Sequence, residues 1–181
     1  MPLKQDIEKI FKNAVNEDNP DSSLTESDIA KEIVKVYKKA VNKGIDQYGN
    51  KWKVSSYTAL ENAIVAQFKL AFTSQSPLQF SLIETALIAT WVPALLKLPA
   101  TPAPGMSIVN SGLVLISTPV GTPPLGKAKE KSAATYDPIV NAFTNMFKNH
   151  AKTISFQYIG LAVAGTPPPP IVVPGAGITL T

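Results

Sequence analysis

Apolar positions recur at three- and four-residue spacing through the first third of the chain, which is the signature of helices with one buried face. Leu3, Ile7, Ile10, Phe11, Ala14 and Val15 form one such stripe, with Pro2 placed where a first helical turn tolerates it. The polar stretch Asn16, Glu17, Asp18, Asn19, Pro20, Asp21 then reads as a loop. A second helix is signalled more completely. Ser23 or Thr25 can cap it, and Thr25 with Asp28 matches the start signature of a capping box. Ile29, Ile33, Val36, Tyr37, Ala40 and Val41 make its apolar face, Lys31, Glu32, Lys35, Lys38 and Lys39 its solvated one, and Gly44 a natural stop. A turn is expected over residues 46–51. Ser55 or Ser56 should cap a third helix running to about Phe72, with Leu60, Ile64, Phe68 and Ala71 inward. The next run, LQFSLIETALIATWVPALLKL, is apolar around nearly its whole circumference and predicts a buried central helix, which Pro93 should kink or end near Trp91.

From Pro99 the pattern changes. PATPAPG has no helix potential and predicts a stiff, extended connector. MSIVNSGLVLIST reads as two short extended runs about Asn110, Ser111 and Gly112, a candidate hairpin. A fifth helix is expected over residues 133–152, with Ile139, Val140, Phe143, Met146 and Phe147 inward, Pro138 in its first turn, and Lys148 and Lys152 near the end where the helix dipole favours positive charge. GTPP follows an apolar extended run twice, at residues 121–124 and 165–168, and 13 of the 16 prolines fall between Pro93 and Pro174. The expected fold class is mainly α, about five helices with short extended or β segments and Pro/Gly-rich arms, with an α+β arrangement as the alternative. A helical region over residues 1–98 and a second over residues 99–181, its helix flanked by the arms, should pack as one domain.

Charge sharpens this division. Residues 1–53 hold ten lysines and nine acids, whereas residues 70–126 hold only Glu84 and Lys97. Residues 153–181 hold no charged side chain at all. Such a segment has to bury its apolar surface, in its own domain or on a neighbour, because polarity and charge are what leave a segment disordered. The residues expected at that interface are Ile154, Phe156, Tyr158, Pro167, Pro168, Ile171, Val172, Val173 and Ile178. Formal net charge is +4, supplied by lysine alone, since there is no arginine. Without the forked guanidinium that reads guanine and phosphate, sequence-specific nucleic-acid binding is not expected. The absence of cysteine excludes disulfides, thiolate metal sites and cysteine nucleophiles. The first 15 residues mix charge with apolar positions and do not read as a secretory signal. The longest apolar run, residues 82–98, is interrupted by Glu84, Pro93 and Lys97 and is short for a membrane span. A soluble protein made in a cytoplasm is the expectation.

Candidate chemistry is sparse. His150 is the only histidine, and a catalytic histidine needs an orienting acid and a nucleophile within reach. Asp137 lies more than three helical turns upstream, so His150 reads as a helix-end residue. Glu84, nearly alone in an apolar helix, is the one acid placed where burial could raise its pKa. Trp91 reads as a core or interface residue before a ligand-pocket one. The carboxylate pairs Glu17/Asp18 and Glu26/Asp28 belong to a loop and a helix start. No glycine spacing fits a dinucleotide or phosphate loop. No catalytic residue, metal site or cofactor is expected, and the chain is not expected to be an enzyme.

The acid–lysine helical front, the lack of Cys and Arg, and the segments PATPAPG, STPVGTPPLG and GTPPPPIVVPGAGITLT together resemble small virion structural proteins of tailed bacteriophages. The resemblance implies a virion component of head, neck, tail or baseplate, assembled in the host cytoplasm, with copies of itself or other virion structural proteins as partners. The arms would then supply the charge-free contacts that permanent assemblies use. A membrane-active toxin or lysis-type protein using residues 82–98 is the alternative expectation.

Overall fold

A computed structural model describes residues 2–14, 24–46, 51–74, 76–91, 95–97, 106–110, 136–159, 172–176 and 178–180. The fold is mainly α. The described residues form five helices, α1 (Pro2–Ala14), α2 (Glu26–Lys43), α3 (Thr58–Ser74), α4 (Phe80–Trp91) and α5 (Asp137–Thr153), together with short strands. These are β1 (Ile45–Asp46), β2 (Lys51–Lys53), β3 (Leu95–Lys97), β4 (Met106–Asn110), β5 (Ser155–Ile159), β6 (Val172–Ala176) and β7 (Ile178–Thr179).

The helix starts follow the local chemistry. Thr25 caps α2: its Oγ1 accepts from the Asp28 backbone N–H at 3.2 Å, and the Asp28 carboxylate accepts from the Thr25 backbone N–H at 3.0 Å and its hydroxyl at 2.6 Å. Those hydrogen bonds hold the Asp28 carboxyl below its ordinary range. Ahead of α3, Ser56 Oγ accepts from the Thr58 backbone N–H at 3.2 Å, one of the donors a helix start leaves orphaned. Gly44 ends α2, its N–H donating to the carbonyls of Ala40 and Val41.

The predicted inward stripes are buried except at Val36, which is partly buried, and Val15 lies outside the described residues. Leu3, Ile7, Ile10, Phe11 and Ala14 of α1 join Ile29, Ile33, Tyr37, Ala40 and Val41 of α2, Leu60, Ile64, Phe68 and Ala71 of α3, and Ile139, Val140, Phe143, Met146 and Phe147 of α5 in a single core. Aromatic rings lock the helices together across it. Phe11 of α1 stacks on Tyr136 at 5.1 Å, just ahead of α5, and meets Phe68 of α3 edge-on at 6.4 Å. Tyr37 of α2 stacks on Phe147 of α5 at 4.2 Å, and Phe80 of α4 meets Phe143 of α5 at 4.9 Å. Offset and edge-on pairs of this kind add stability beyond the area they bury.

One expectation changes. The long apolar run after Pro77 is not buried all round, although its helix ends where Pro93 is expected to stop it. It gives α4, which stops at Trp91, and then β3, whose Trp52↔Leu96 register ties it antiparallel to β2. On α4, Phe80, Ile83, Glu84, Leu87, Thr90 and Trp91 are buried, whereas Leu82 is 54% exposed. A helix at the edge of the core has room for only one inward stripe, whatever the composition of its other side. The hairpin expected around residues 110–112 is described only in its first run. β4, its first run, pairs antiparallel with β5, with a register shift between Ile108 and Asn110. Its second run, the connector after Pro99 and both GTPP segments lie outside the described residues. The fifth helix begins at Asp137 with Pro138 in its first turn, and residues 133–135 also lie outside.

Strand pairing is long-range throughout. β4, β5 and β6 form a three-stranded sheet with β5 central, and β1 pairs with β7 near the chain's end.

Candidate functional site

The C-terminal residues singled out in the sequence fall into three groups. Ile154 follows α5 as its C-cap residue and is completely buried in the helical core. Phe156 and Tyr158 lie on β5, Val172 and Val173 on β6, with Tyr158 opposite Val173 and Ile159 opposite Val172. Ile178 lies on β7, opposite Asp46 of β1. Pro167, Pro168 and Ile171 lie outside the described residues. After α5, the described residues include three strands: β5 pairs with β4 and β6, and β7 with β1. Pro174 sits within β6, an outer strand in the sheet order, which suits a residue with no N–H to give a ladder.

A second surface faces outward from α3 and α4. Leu70 is 52% exposed, close to the end of α3, and Leu82 is 54% exposed in the first turn of α4. Ser81, Thr85 and Ala89 complete the exposed side of α4, which carries no charged residue. By contrast, α1 and α2 carry surface ion pairs, Lys12 with Glu8 at 2.8 Å, Lys35 with Glu32 at 3.1 Å and Lys39 with Asp6 at 3.2 Å. A groove of about 260 Å³ runs between those two helices over Ile10, and its charges are largely spent in the last two pairs. Exposed pairs of this sort contribute little and keep the face in water.

The polar groups with chemical potential lie inside. Glu84 and His150 are both wholly buried. Glu84 belongs to the inner stripe of α4 with Phe80, Leu87 and Trp91, and His150 to the inner stripe of α5 with Phe143, Met146 and Phe147. The helix-end reading of His150 placed it correctly along the chain but missed its burial. The signal was available, since position 150 continues the three- and four-residue spacing of 143, 146 and 147. The imidazole faces the Trp91 ring at 6.4 Å between centroids. Trp91 in turn donates its Nε1–H to Tyr37 Oη at 2.7 Å. Burial drives the Tyr37 hydroxyl far above its ordinary pKa, so it stays protonated. Tyr57, edge-on to Tyr37 at 6.1 Å, and Tyr136 are both pushed up by burial to about 12.

This cluster ties α2, α4 and α5 at one level of the core and is closed to solvent, so its chemistry is positional. Tyr37→Phe would keep the ring and its stacking on Phe147 while leaving the Trp91 indole N–H without its acceptor. The expected cost is about 1–3 kcal/mol. Chemical denaturation should show it as a lower midpoint at unchanged slope, and an unchanged midpoint would contradict the role. Among the described residues, no group of three or more His, Asp or Glu side chains is placed to hold a metal ion. Also among the described residues, no helix is long and apolar enough to cross a membrane. α4, at about 18 Å, falls well short of the hydrocarbon thickness of about 30 Å. No family model matches the chain, and neither a curated protein nor a solved structure does.

Proposed function

We propose that this chain is a structural subunit of a multi-protein assembly, a virion component of the tailed-phage kind, which associates through its charge-free C-terminal segments. The observation that carries the reading is the division of labour along the chain. Most of the lysines and acids of the five described helices lie on α1 and α2, while everything after Thr153 is uncharged and, where described beyond Ile154, lies mainly in short strands. Strand edges and uncharged apolar side chains suit a permanent contact, because they bring main-chain hydrogen bonds and no desolvation cost for charge. The outward leucines of α3 and α4 add apolar surface of the same character. Enclosure of Glu84 and His150 within the core further favours an architectural role over a catalytic one, since no substrate reaches them.

The native mass of the purified chain, alone and mixed with the other structural proteins of the particle, tests the proposal. Association in either case is expected. A chain that stays at its single-copy mass of 19.3 kDa in both would overturn it.

A further inference from the structure

We infer that Glu84 and His150 enter the core as one unit of zero net charge that holds a single proton, so that the helical body loses stability as the medium turns alkaline. Both side chains are wholly buried. α4 and α5 lie side by side and run in the same sense, since Phe80 meets Phe143 at 4.9 Å early in both helices and Trp91 faces His150 at 6.4 Å late in both. Glu84 lies one turn beyond Phe80 on the inner stripe of α4, and His150 lies two turns beyond Phe143 on that of α5. Both titratable groups therefore belong to the stretch of core bounded by those two ring contacts.

A lone carboxylate or imidazolium in an apolar interior costs far more than its neutral form, so burial selects arrangements in which the pair is neutral overall. Two exist: carboxylic acid beside neutral imidazole, and carboxylate beside imidazolium. Each holds one proton, so the count is the same whichever the core adopts. The other groups facing the pair leave that count unchanged. From α2 comes the Tyr37 hydroxyl, reached through Trp91, with Tyr57 edge-on against Tyr37. Tyr136 enters the core just ahead of α5. Burial raises all three hydroxyls, Tyr57 and Tyr136 to about 12, so none titrates near neutral pH. α3 contributes Gln67, which does not titrate and whose Oε1 accepts from the Gln79 backbone N–H. On α5 itself, Lys148 is partly exposed and, two residues from His150, points to another side of the helix. Among the described residues, the buried set contains no lysine.

Unfolding changes the count. In an open chain a glutamate releases its proton at about pH 4.3 and a histidine at about pH 6.5. Above about pH 6.5 the unfolded pair holds no proton and the native pair one, so each further pH unit lowers the folding constant about tenfold until the native pair itself deprotonates. Between those two values both states hold one proton and stability is level. Below about pH 4.3 the unfolded pair holds two, and stability falls again. Asp28 and Glu8, whose carboxyls are held low by hydrogen bonds from Thr25 and Lys12, add to that acid limb. The alkaline limb is therefore the one that reports the pair.

Urea titrations of the full chain at a series of pH values give the folding constant. The wild type should be level from about pH 5 to about pH 6 and lose about tenfold between about pH 7 and about pH 8. Glu84→Gln leaves a buried imidazole that has to stay neutral, which reverses the pattern. That variant should be level above about pH 6.5 and fall about tenfold per unit below it. His150→Gln leaves a buried carboxylic acid, so its alkaline fall should begin at about pH 4.3, with about tenfold lost from about pH 5 to about pH 6. A wild-type profile that is level above about pH 6.5, or variants that keep the wild-type profile, would overturn the inference. Should either variant not fold, the wild-type chain decides by itself. His150 is the only histidine, so a single imidazole C–H signal in the NMR spectrum reports it. In the native protein that signal should hold its position from about pH 5 to about pH 7.5, whereas a shift with its midpoint at about 6.5 would rule out the shared proton.

Discussion

Phe143→Ala should cost about 3–5 kcal/mol, the largest effect of any single substitution considered for this chain. Its ring is the point where three helices meet. It lies 6.0 Å from Phe68 of α3, 4.9 Å from Phe80 of α4 and 5.8 Å from Phe147 one turn along α5, and it is completely buried. Truncation at this position removes the ring's own burial and leaves three aromatic neighbours around a void they cannot close, since each is anchored on a different turn. A domain with about 5–15 kcal/mol in hand would lose a large part of its stability. For a chain of this length the thermal midpoint should fall by about 6–20 °C. Phe143→Leu keeps much of the volume and should cost under about 1.5 kcal/mol. Equal, small shifts for both variants would show that this aromatic junction is not the organising centre of the core.

Ending the chain before Gly165 should have the opposite profile, with assembly lost and the helices kept. Ile154, completely buried in the core just after α5, remains in such a variant. What disappears from the described structure is β6, β7 and Leu180, whose side chain packs partly buried against the core. The loss of its partial burial should cost the body under about 2 kcal/mol. Far-ultraviolet circular dichroism should therefore retain the helical signal nearly unchanged. Sedimentation should show single copies. A truncated chain that assembled normally would refute the idea that the C-terminal segment makes the contact. Collapse of the helical signal would show that the strands belong to the folding unit itself.

The helices were legible because their information is local. The Thr25–Asp28 box, the stop at Gly44, the stripe on α1 and the early Pro138 of α5 are each written within a few residues, and the burial of the helices follows their spacing. The strands were not legible, because nothing near Ile45 announces Thr179 as its partner, and two- to five-residue extended runs have too little period to fix a register. β4 illustrates the point. Nothing near it announces its described partner β5, which lies some 45 residues away. α4 misled in another way, since composition alone cannot say which side of an apolar helix faces the core. The buried cluster was half-readable. Tyr37 and His150 both continue apolar stripes, but their meeting at Trp91 depends on how α2, α4 and α5 cross, which no single stretch records.

The most direct measurement is the native mass of the full-length chain across a concentration series, by sedimentation velocity or native mass spectrometry. Assembly through the C-terminal strands predicts a discrete species at a whole-number multiple of 19.3 kDa. Because the C-terminal segment that makes the proposed contact holds no charge, that species should persist from about 0.1 M to about 1 M salt, where ionic contacts are screened away. A 19.3 kDa species at every concentration, unchanged when the particle's other structural proteins are added, would contradict the account.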